Sequence, residues 1–359
     1  MSKPFLPLLF LVFCCFTSLN GQFCLPQGIT FSTQAEIDQF ALDYPDCKQI
    51  MGNVTISGPD IVTLNGLSGI TSFGKGLYIQ NNPILKSLEG LNQVHTIGAG
   101  VVSGSLYITN NPNLTDLSGL DKLSHIFMRL DISQNEGLDS LHGLDKLQSI
   151  GSTFYFQNND QIKNLKGLGR LQYVGGDLYI EDCDQLRSLA GIEKLDRVGR
   201  SLYIQFNPVL HDIFSVSPEL FVEDYWVMSL NDSLNECGIV ALCAVVEAYP
   251  EKILQCANGP DCTGVADLEI QCGLVSEKTP ARPVEQRLLS PNPAGSEAFL
   301  QIPVTEGWLT LFNQLGVMQK RIVLQGARRV DLSDLSAGVY MVYWEGLDGQ
   351  LRVDRLVRN

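Results

Sequence analysis

Leu77-Tyr78-Ile79-Gln80-Asn81-Asn82-Pro83-Ile84-Leu85-Lys86-Ser87-Leu88-Glu89-Gly90-Leu91-Asn92-Gln93-Val94 is the stretch that decides the fold. Its opening triplet returns as Leu106-Tyr107-Ile108, Leu130-Asp131-Ile132, Phe154-Tyr155-Phe156, Leu178-Tyr179-Ile180 and Leu202-Tyr203-Ile204. The starts are separated by 29, 24, 24, 24 and 24 residues, and Val54-Thr55-Ile56 is a weaker copy 23 residues ahead. The one long spacing carries a Gly/Val/Ser-rich insertion from Ala99 to Gly104. A fixed period of this size marks stacked structural repeats. After each triplet comes Asn and then an apolar residue about every third position, as in Leu85, Leu88, Leu91, Val94 and Ile97. That spacing fits neither a long strand nor a regular helix. It fits a chain that turns corners and sends one side chain inward from each short side. No single coil can bury its apolar edge alone, so about seven coils stack over residues 53–215 into one core.

Two columns follow from this stacking. Five residues after each strand start stand Asn82, Asn111, Asn135, Asn159, Cys183 and Asn207. An inward Asn can hydrogen-bond backbone groups left unpaired at a turn, and stacked copies make a ladder. Cys is a known occupant of this repeat position, which predicts Cys183 as a buried free thiol. On the strand itself side chains alternate. Tyr78, Tyr107, Asp131, Tyr155, Tyr179 and Tyr203 therefore face outward in one column. Gln80, Thr109, Ser133, Gln157, Glu181 and Gln205 form the next. Tyrosine offers an apolar body and a polar tip, so the first column, with Gln80, Gln157 and Gln205 beside it, is the candidate ligand surface. The competing expectation is an aromatic ladder that only stabilises the sheet. Asp131 interrupts the file and is the place to look for specificity.

The chain has 359 residues and a net charge of -14. Residues 1–21 begin with Lys3, run apolar from Pro4 to Phe16 and end small and polar, which is the order of a secretory signal peptide cleaved near Gly21/Gln22. The apolar run is too short to span a bilayer, and no later stretch is predicted to cross one. From Gln22 to Glu285 sixteen basic residues face thirty-two acidic ones, which argues against nucleic acid as a partner. Eight cysteines remain after cleavage: Cys24 and Cys47 before the coils, Cys183 within them, and Cys237, Cys243, Cys256, Cys262 and Cys272 after them. In an exported chain such end clusters suggest disulfides closing an N-terminal cap (22–52) and a cysteine-rich C-terminal cap (216–275). Zinc is the alternative, but the spacings contain no C-x2-C pair. With Cys183 free, seven cysteines are left, so one more is free or pairs outside this set. Gly238 to Ala248 is a short apolar helix candidate stopped by Pro250.

The strings LYIQNNPILKSLEGLNQV, LYITNNPNLTDLSGLDKL and LYIEDCDQLRSLAGIEKL resemble receptor L-domains, the leucine-rich-repeat-like, right-handed β-helical solenoids of receptor ectodomains and microbial surface proteins. The resemblance covers roughly residues 50–215 and implies extracellular recognition without catalysis; it transfers no ligand. C-x5-C, NGPDC and C-x9-C resemble the cysteine cap that follows such repeats in bacterial surface proteins. By that resemblance Cys237, Cys243, Cys262 and Cys272 form two disulfides, and Cys256 is left as the odd thiol.

Glu277 to Gln286 is polar with two prolines and reads as a linker, placed at 276–286. Beyond it Trp308-Leu309-Thr310-Leu311-Phe312 and Val339-Tyr340-Met341-Val342-Tyr343-Trp344 alternate as strands between turn signals, which predicts a small β-sandwich over 287–359. SPNPA (290–294), LTLFNQLG (309–316), VDLSDLSAGVYMV (330–342) and the closing RLVRN resemble the type A C-terminal sorting domain of the type IX secretion system. That resemblance implies a Gram-negative bacterium of the Bacteroidota and export across the outer membrane through recognition of 287–359 by that machinery. The expected fold is thus mainly β: a right-handed β-helix or leucine-rich-repeat-like solenoid with disulfide caps, then an immunoglobulin-like sandwich.

Enzyme signatures are missing: no nucleophile elbow, HExxH, P-loop or dinucleotide fingerprint is found. His95 and His125 occupy roughly equivalent places in adjacent coils and read as repeat copies. Glu181, Asp182 and Asp184 could hold Ca²⁺, against a solvated acidic turn, and no metal or cofactor is expected. Three Asn-x-Ser/Thr matches, at Asn53, Asn113 and Asn231, are read as accidental. The expectation is a secreted or surface-displayed recognition or adhesion protein for a protein or glycan. The alternatives are a polysaccharide-active β-helix enzyme and a purely structural surface protein.

Overall fold

Each repeat folds into two strands and a cornered return. The four-residue strand starts at the repeated triplet, and a two-residue strand precedes it in every coil. The computed structural model describes residues 22–98, 104–256, 258–274, 288–290, 294–300, 306–313, 318–325, 329–345 and 351–359. Residues 1–21, the linker 276–286, the insertion at 99–103, residues 291–293 of SPNPA and the side chain of Cys256 lie outside the described residues.

The four-residue strands Leu77–Gln80, Leu106–Thr109, Leu130–Ser133, Phe154–Gln157, Leu178–Glu181 and Leu202–Gln205 lie parallel and in register, with Val54–Ile56 as the rung below. Equivalent residues of neighbouring coils face one another: Tyr155 pairs with Tyr179, and Tyr179 with Tyr203. Rungs continue past both ends of the sequence pattern. Ile29–Phe31 precedes it, and Trp226–Ser229 and Ile253–Cys256 follow, giving a ten-stranded parallel sheet. The boundary at 53–215 was therefore drawn too tightly. Trp226-Val227-Met228 begins 24 residues after Leu202, but its residue types differ from the Leu-Tyr-Ile signature. A second parallel sheet of nine two-residue strands, from Phe23–Cys24 to Phe221–Val222, closes the other side.

Between the sheets the third-position residues fill the core, and Leu85, Leu88, Leu91, Leu114, Leu117 and Leu120 are fully buried. A coil can come this close to its neighbour only where a side chain is missing. Gly143 has φ +108°, and a Cβ there would lie 1.9 Å from the carbonyl oxygen of Leu117 in the coil beneath. Gly90, Gly119, Gly167 and Gly191 repeat the position with the same left-handed backbone. Only glycine meets both demands at low cost.

The ends are closed differently. The N-terminal helix Gln34–Asp43 starts with a capping box between Thr33 and Glu36 and buries Ile37 and Phe40. Cys24 is bonded to Cys47, joining the first two rungs of the short-strand sheet. At the other end Cys237–Cys262 and Cys243–Cys272 tie the helices Val240–Ala248 and Val265–Gln271 together. Three disulfides fit folding in an oxidising, extracytoplasmic compartment. Among the described residues no helix is long and apolar enough to cross a membrane. The C-terminal residues form two antiparallel sheets, one of three strands and one of four. Strands Glu306–Asn313 and Gly338–Glu345 extend the two predicted runs by one or two residues at each end. Leu289, Leu300 and Val330 of the smaller sheet share a core with Leu309, Leu311, Val342 and Trp344 of the larger.

Candidate functional site

The outward face of the ten-stranded sheet is the candidate surface, because the register places one side-chain type per rung along it. Tyr155, Tyr179 and Tyr203 stack face to face, with ring centroids 4.5 and 4.4 Å apart and planes within 3°. Tyr78 and Tyr107 stack at 4.8 Å. The spacing follows from the strand separation of about 4.8 Å, which holds identical rings in van der Waals contact. All five tyrosines are half-buried. Burial raises the phenol pKa of Tyr78, Tyr155, Tyr179 and Tyr203, so these four stay neutral hydrogen-bond donors.

Asp131 stands where the file lacks a ring, and the structure corrects the expectation that it is exposed. Its side chain is only 9% accessible. Arg129 lies two residues earlier and therefore on the same face. Its guanidinium sits 3.9 Å from the centroid of the Tyr155 ring and 5.4 Å from that of Tyr107. Nη2 holds Asp131 Oδ2 at 2.8 Å, and Ser133 Oγ donates to Asp131 Oδ1. The cation fills the place of the missing aromatic ring and bridges the two tyrosine stacks. Arg129 Nε is buried without a hydrogen-bond partner.

The neighbouring column is also less open than alternation predicts. Gln80 and Thr109 are half-buried, but Ser133, Gln157, Glu181 and Gln205 are buried, so Gln157 and Gln205 are not surface ligand groups. Equivalent side chains of adjacent rungs cover one another, and Gln205 Nε2 donates to Ser229 Oγ at 2.5 Å. Glu181 lies in register between Gln157 and Gln205. Burial, with a smaller contribution from Asp182, pushes its carboxyl up to about 8. The acidic trio is thereby split: Glu181 is buried, Asp182 half-buried at φ +50°, and Asp184 exposed. Among the described residues no group of three or more His, Cys, Asp or Glu is placed to hold a metal ion. His125 lies level with Thr96 and not with His95, so the two histidines sit one residue out of register.

The inward ladder runs along the rod. Asn135 Nδ2 donates to the Ile108 carbonyl at 2.9 Å, and its Oδ1 accepts from the Asn111 backbone N–H at 3.1 Å. Asn82, Asn111, Asn159 and Asn207 make the corresponding bond to the coil beneath, and Asn231 and Asn258 extend the ladder. Cys183 takes this position as a buried free thiol whose Sγ lies 3.3 Å from the Glu181 carbonyl. Burial raises its pKa, which keeps it protonated.

No protein-family model matches the chain, and no curated protein does.

Reading the sequence from the first Leu of each triplet missed the column two residues before the tyrosines. Period-two alternation places Gly76, Ser105, Arg129, Thr153, Asp177, Ser201 and Tyr225 on the same outward face. The Tyr78 ring leans over Gly76, where a Cβ would meet its Cε2 at 2.7 Å. The tyrosine hydroxyls therefore lean toward this column. Asp177 lies there with its side chain 12% accessible. Its carboxylate raises the pKa of Tyr155, Tyr179 and Tyr203. Asp177 Oδ1 accepts from the Ser201 N–H at 3.1 Å, and Oδ2 lies 3.5 Å from Nη1 of the exposed Arg200.

Proposed function

We propose that this chain is a secreted or cell-surface recognition protein without a catalytic role, which binds an extracellular protein or glycan on the outward face of its ten-stranded sheet. The observation that carries the reading is the ordered file of Tyr78, Tyr107, Arg129, Tyr155, Tyr179 and Tyr203 on the flank of a rigid parallel sheet. Aromatic and arginine side chains held in place by stacking lose little freedom on binding, which suits them to recognition. Three disulfides and the acidic body fit life outside the cytoplasm.

The finer reading rests on the sequence resemblances. We take the coils as a right-handed receptor-L-domain-like rod and residues 287–359 as an immunoglobulin-like type IX sorting domain that meets the export machinery. Full-length mature protein applied to arrays of immobilised glycans and extracellular proteins tests recognition. Binding that disappears in the Tyr155→Ala/Tyr179→Ala double variant, with the fold retained by circular dichroism, supports it. Release of product from a polysaccharide replaces it with an enzyme. Silence on both arrays leaves a structural role.

A further inference from the structure

The stacking that orders the tyrosines also consumes their faces. At 4.4–4.5 Å between centroids the two faces of Tyr179 are covered by Tyr155 and Tyr203. No sugar ring, proline or aromatic group can lie on them. What the file offers a ligand is ring edges and phenol hydroxyls, and these lean toward Asp177.

Asp177 is the one carboxylate on this face that is near all three stacked phenols, and its acceptor capacity is only partly used. A carboxylate has about four lone-pair sites. Here it has one backbone N–H at 3.1 Å and one long ion contact at 3.5 Å, from an Arg200 that also reaches toward Asp224 at 3.8 Å. Asp131 is different, because Arg129 and Ser133 close on it. The hydroxyls of Tyr155, Tyr179 and Tyr203 stand beside Asp177 as neutral donors, with Ser201 close to Tyr203. Charge narrows the ligand further. Asp177 and an acidic body repel anions, while Arg129 and Arg200 flank the site against cations. A protein partner would look for an exposed aromatic face or a pocket for an anchor residue, and stacking removes the first.

We propose that Asp177 and the hydroxyls of Tyr155, Tyr179 and Tyr203 form a binding site for a neutral glycan, with Asp177 accepting from sugar hydroxyls and the phenols donating to sugar oxygens. This rests on the recognition reading above and adds Asp177 as its specificity-determining residue.

The test is calorimetric titration of the full mature chain with cello-, xylo- and mannohexaose and with hexamers of galacturonate and mannuronate. Wild type binds at least one neutral hexamer and neither uronate. Asp177→Asn weakens that binding about tenfold or more, as expected for losing a charged acceptor. Tyr179→Phe, which keeps the ring stack and removes one hydroxyl, weakens it about threefold. Should Asp177→Asn fail to fold, Tyr179→Phe carries the test. Binding to none of the neutral hexamers, tighter binding to a uronate, or unchanged affinity in both variants overturns the proposal. A protein or acidic-glycan ligand that is lost in Tyr155→Ala/Tyr179→Ala sinks the neutral-glycan assignment and leaves the recognition reading standing.

Discussion

Two one-residue-wide columns run along this rod, and each is interrupted once. The outward tyrosine file is broken at Asp131, and the inward asparagine ladder at Cys183. The first break is repaired: Arg129 reaches in from the same face, stacks on Tyr155 and neutralises Asp131. The second is not. Cys183 has no amide to give, and every other described rung of the ladder sends an Nδ2–H to the coil beneath. The difference is room. On a solvent-facing sheet a long side chain two residues away can swing into a gap. In a core packed by Leu186, Leu189 and their equivalents no neighbour can move, so each ladder residue has to supply its own hydrogen bonds.

The largest effect expected from this contrast is at the ladder. Asn135→Ala leaves the Ile108 carbonyl and the Asn111 N–H without their partners, and should cost about 3 kcal/mol of stability. Urea unfolding measures it, and a loss below 1 kcal/mol would mean that water or a neighbour can repair the ladder after all.

Glu181 tests whether a nominally outward position behaves as interior. Its carboxyl titrates near 8 when folded and near 4.5 when unfolded. The native state then holds a proton that the unfolded chain has lost, so stability is complete below about pH 4.5 and declines as pH rises through 8. Glu181→Gln removes the titration and continues the Gln157–Gln205 row. It should match wild type near pH 4 and be more stable by about 2 kcal/mol at pH 8. Equal urea midpoints at pH 8 would show that the position is solvated.

Cys183→Asn should restore the missing amide and raise stability by about 1 kcal/mol, read as an upward shift in Tm. A loss would show that the coil at 183 has relaxed around the thiol. The smallest effect belongs to the repaired break. Arg129→Ala should cost about 1 kcal/mol, and adding Asp131→Tyr to that variant should recover it by making the ring stack continuous. Failure of the second change to compensate would mean that Arg129 does more than fill a place.

Much of the rod is legible because its information is periodic. The Asn-plus-apolar spacing and the 24-residue period mark the coils, and alternation alone assigns Leu77 and Ile79 inward and Tyr78 outward. The rungs at Trp226 and Ile253 escape because stacking tolerates any apolar triplet, whereas the eye follows Leu-Tyr-Ile. The short second sheet escapes because two residues carry too little alternation to register as a strand. Among site residues, the tyrosine column is readable and Asp177 is not, since nothing in a lone Asp two places before a tyrosine signals that three hydroxyls will lean over it.

The amino-acid order by itself determined the repeat, the inward ladder, the cysteine-closed ends and the distinct character of residues 287–359, because each is written in local spacing and residue type. Tertiary structure alone decided that Arg129 stands in for a tyrosine, that Gln157, Glu181 and Gln205 are buried, and that ring faces are spent on one another. Those outcomes depend on how side chains of coils 24 residues apart share about 4.8 Å of space, a quantity that exists only once the coils are stacked.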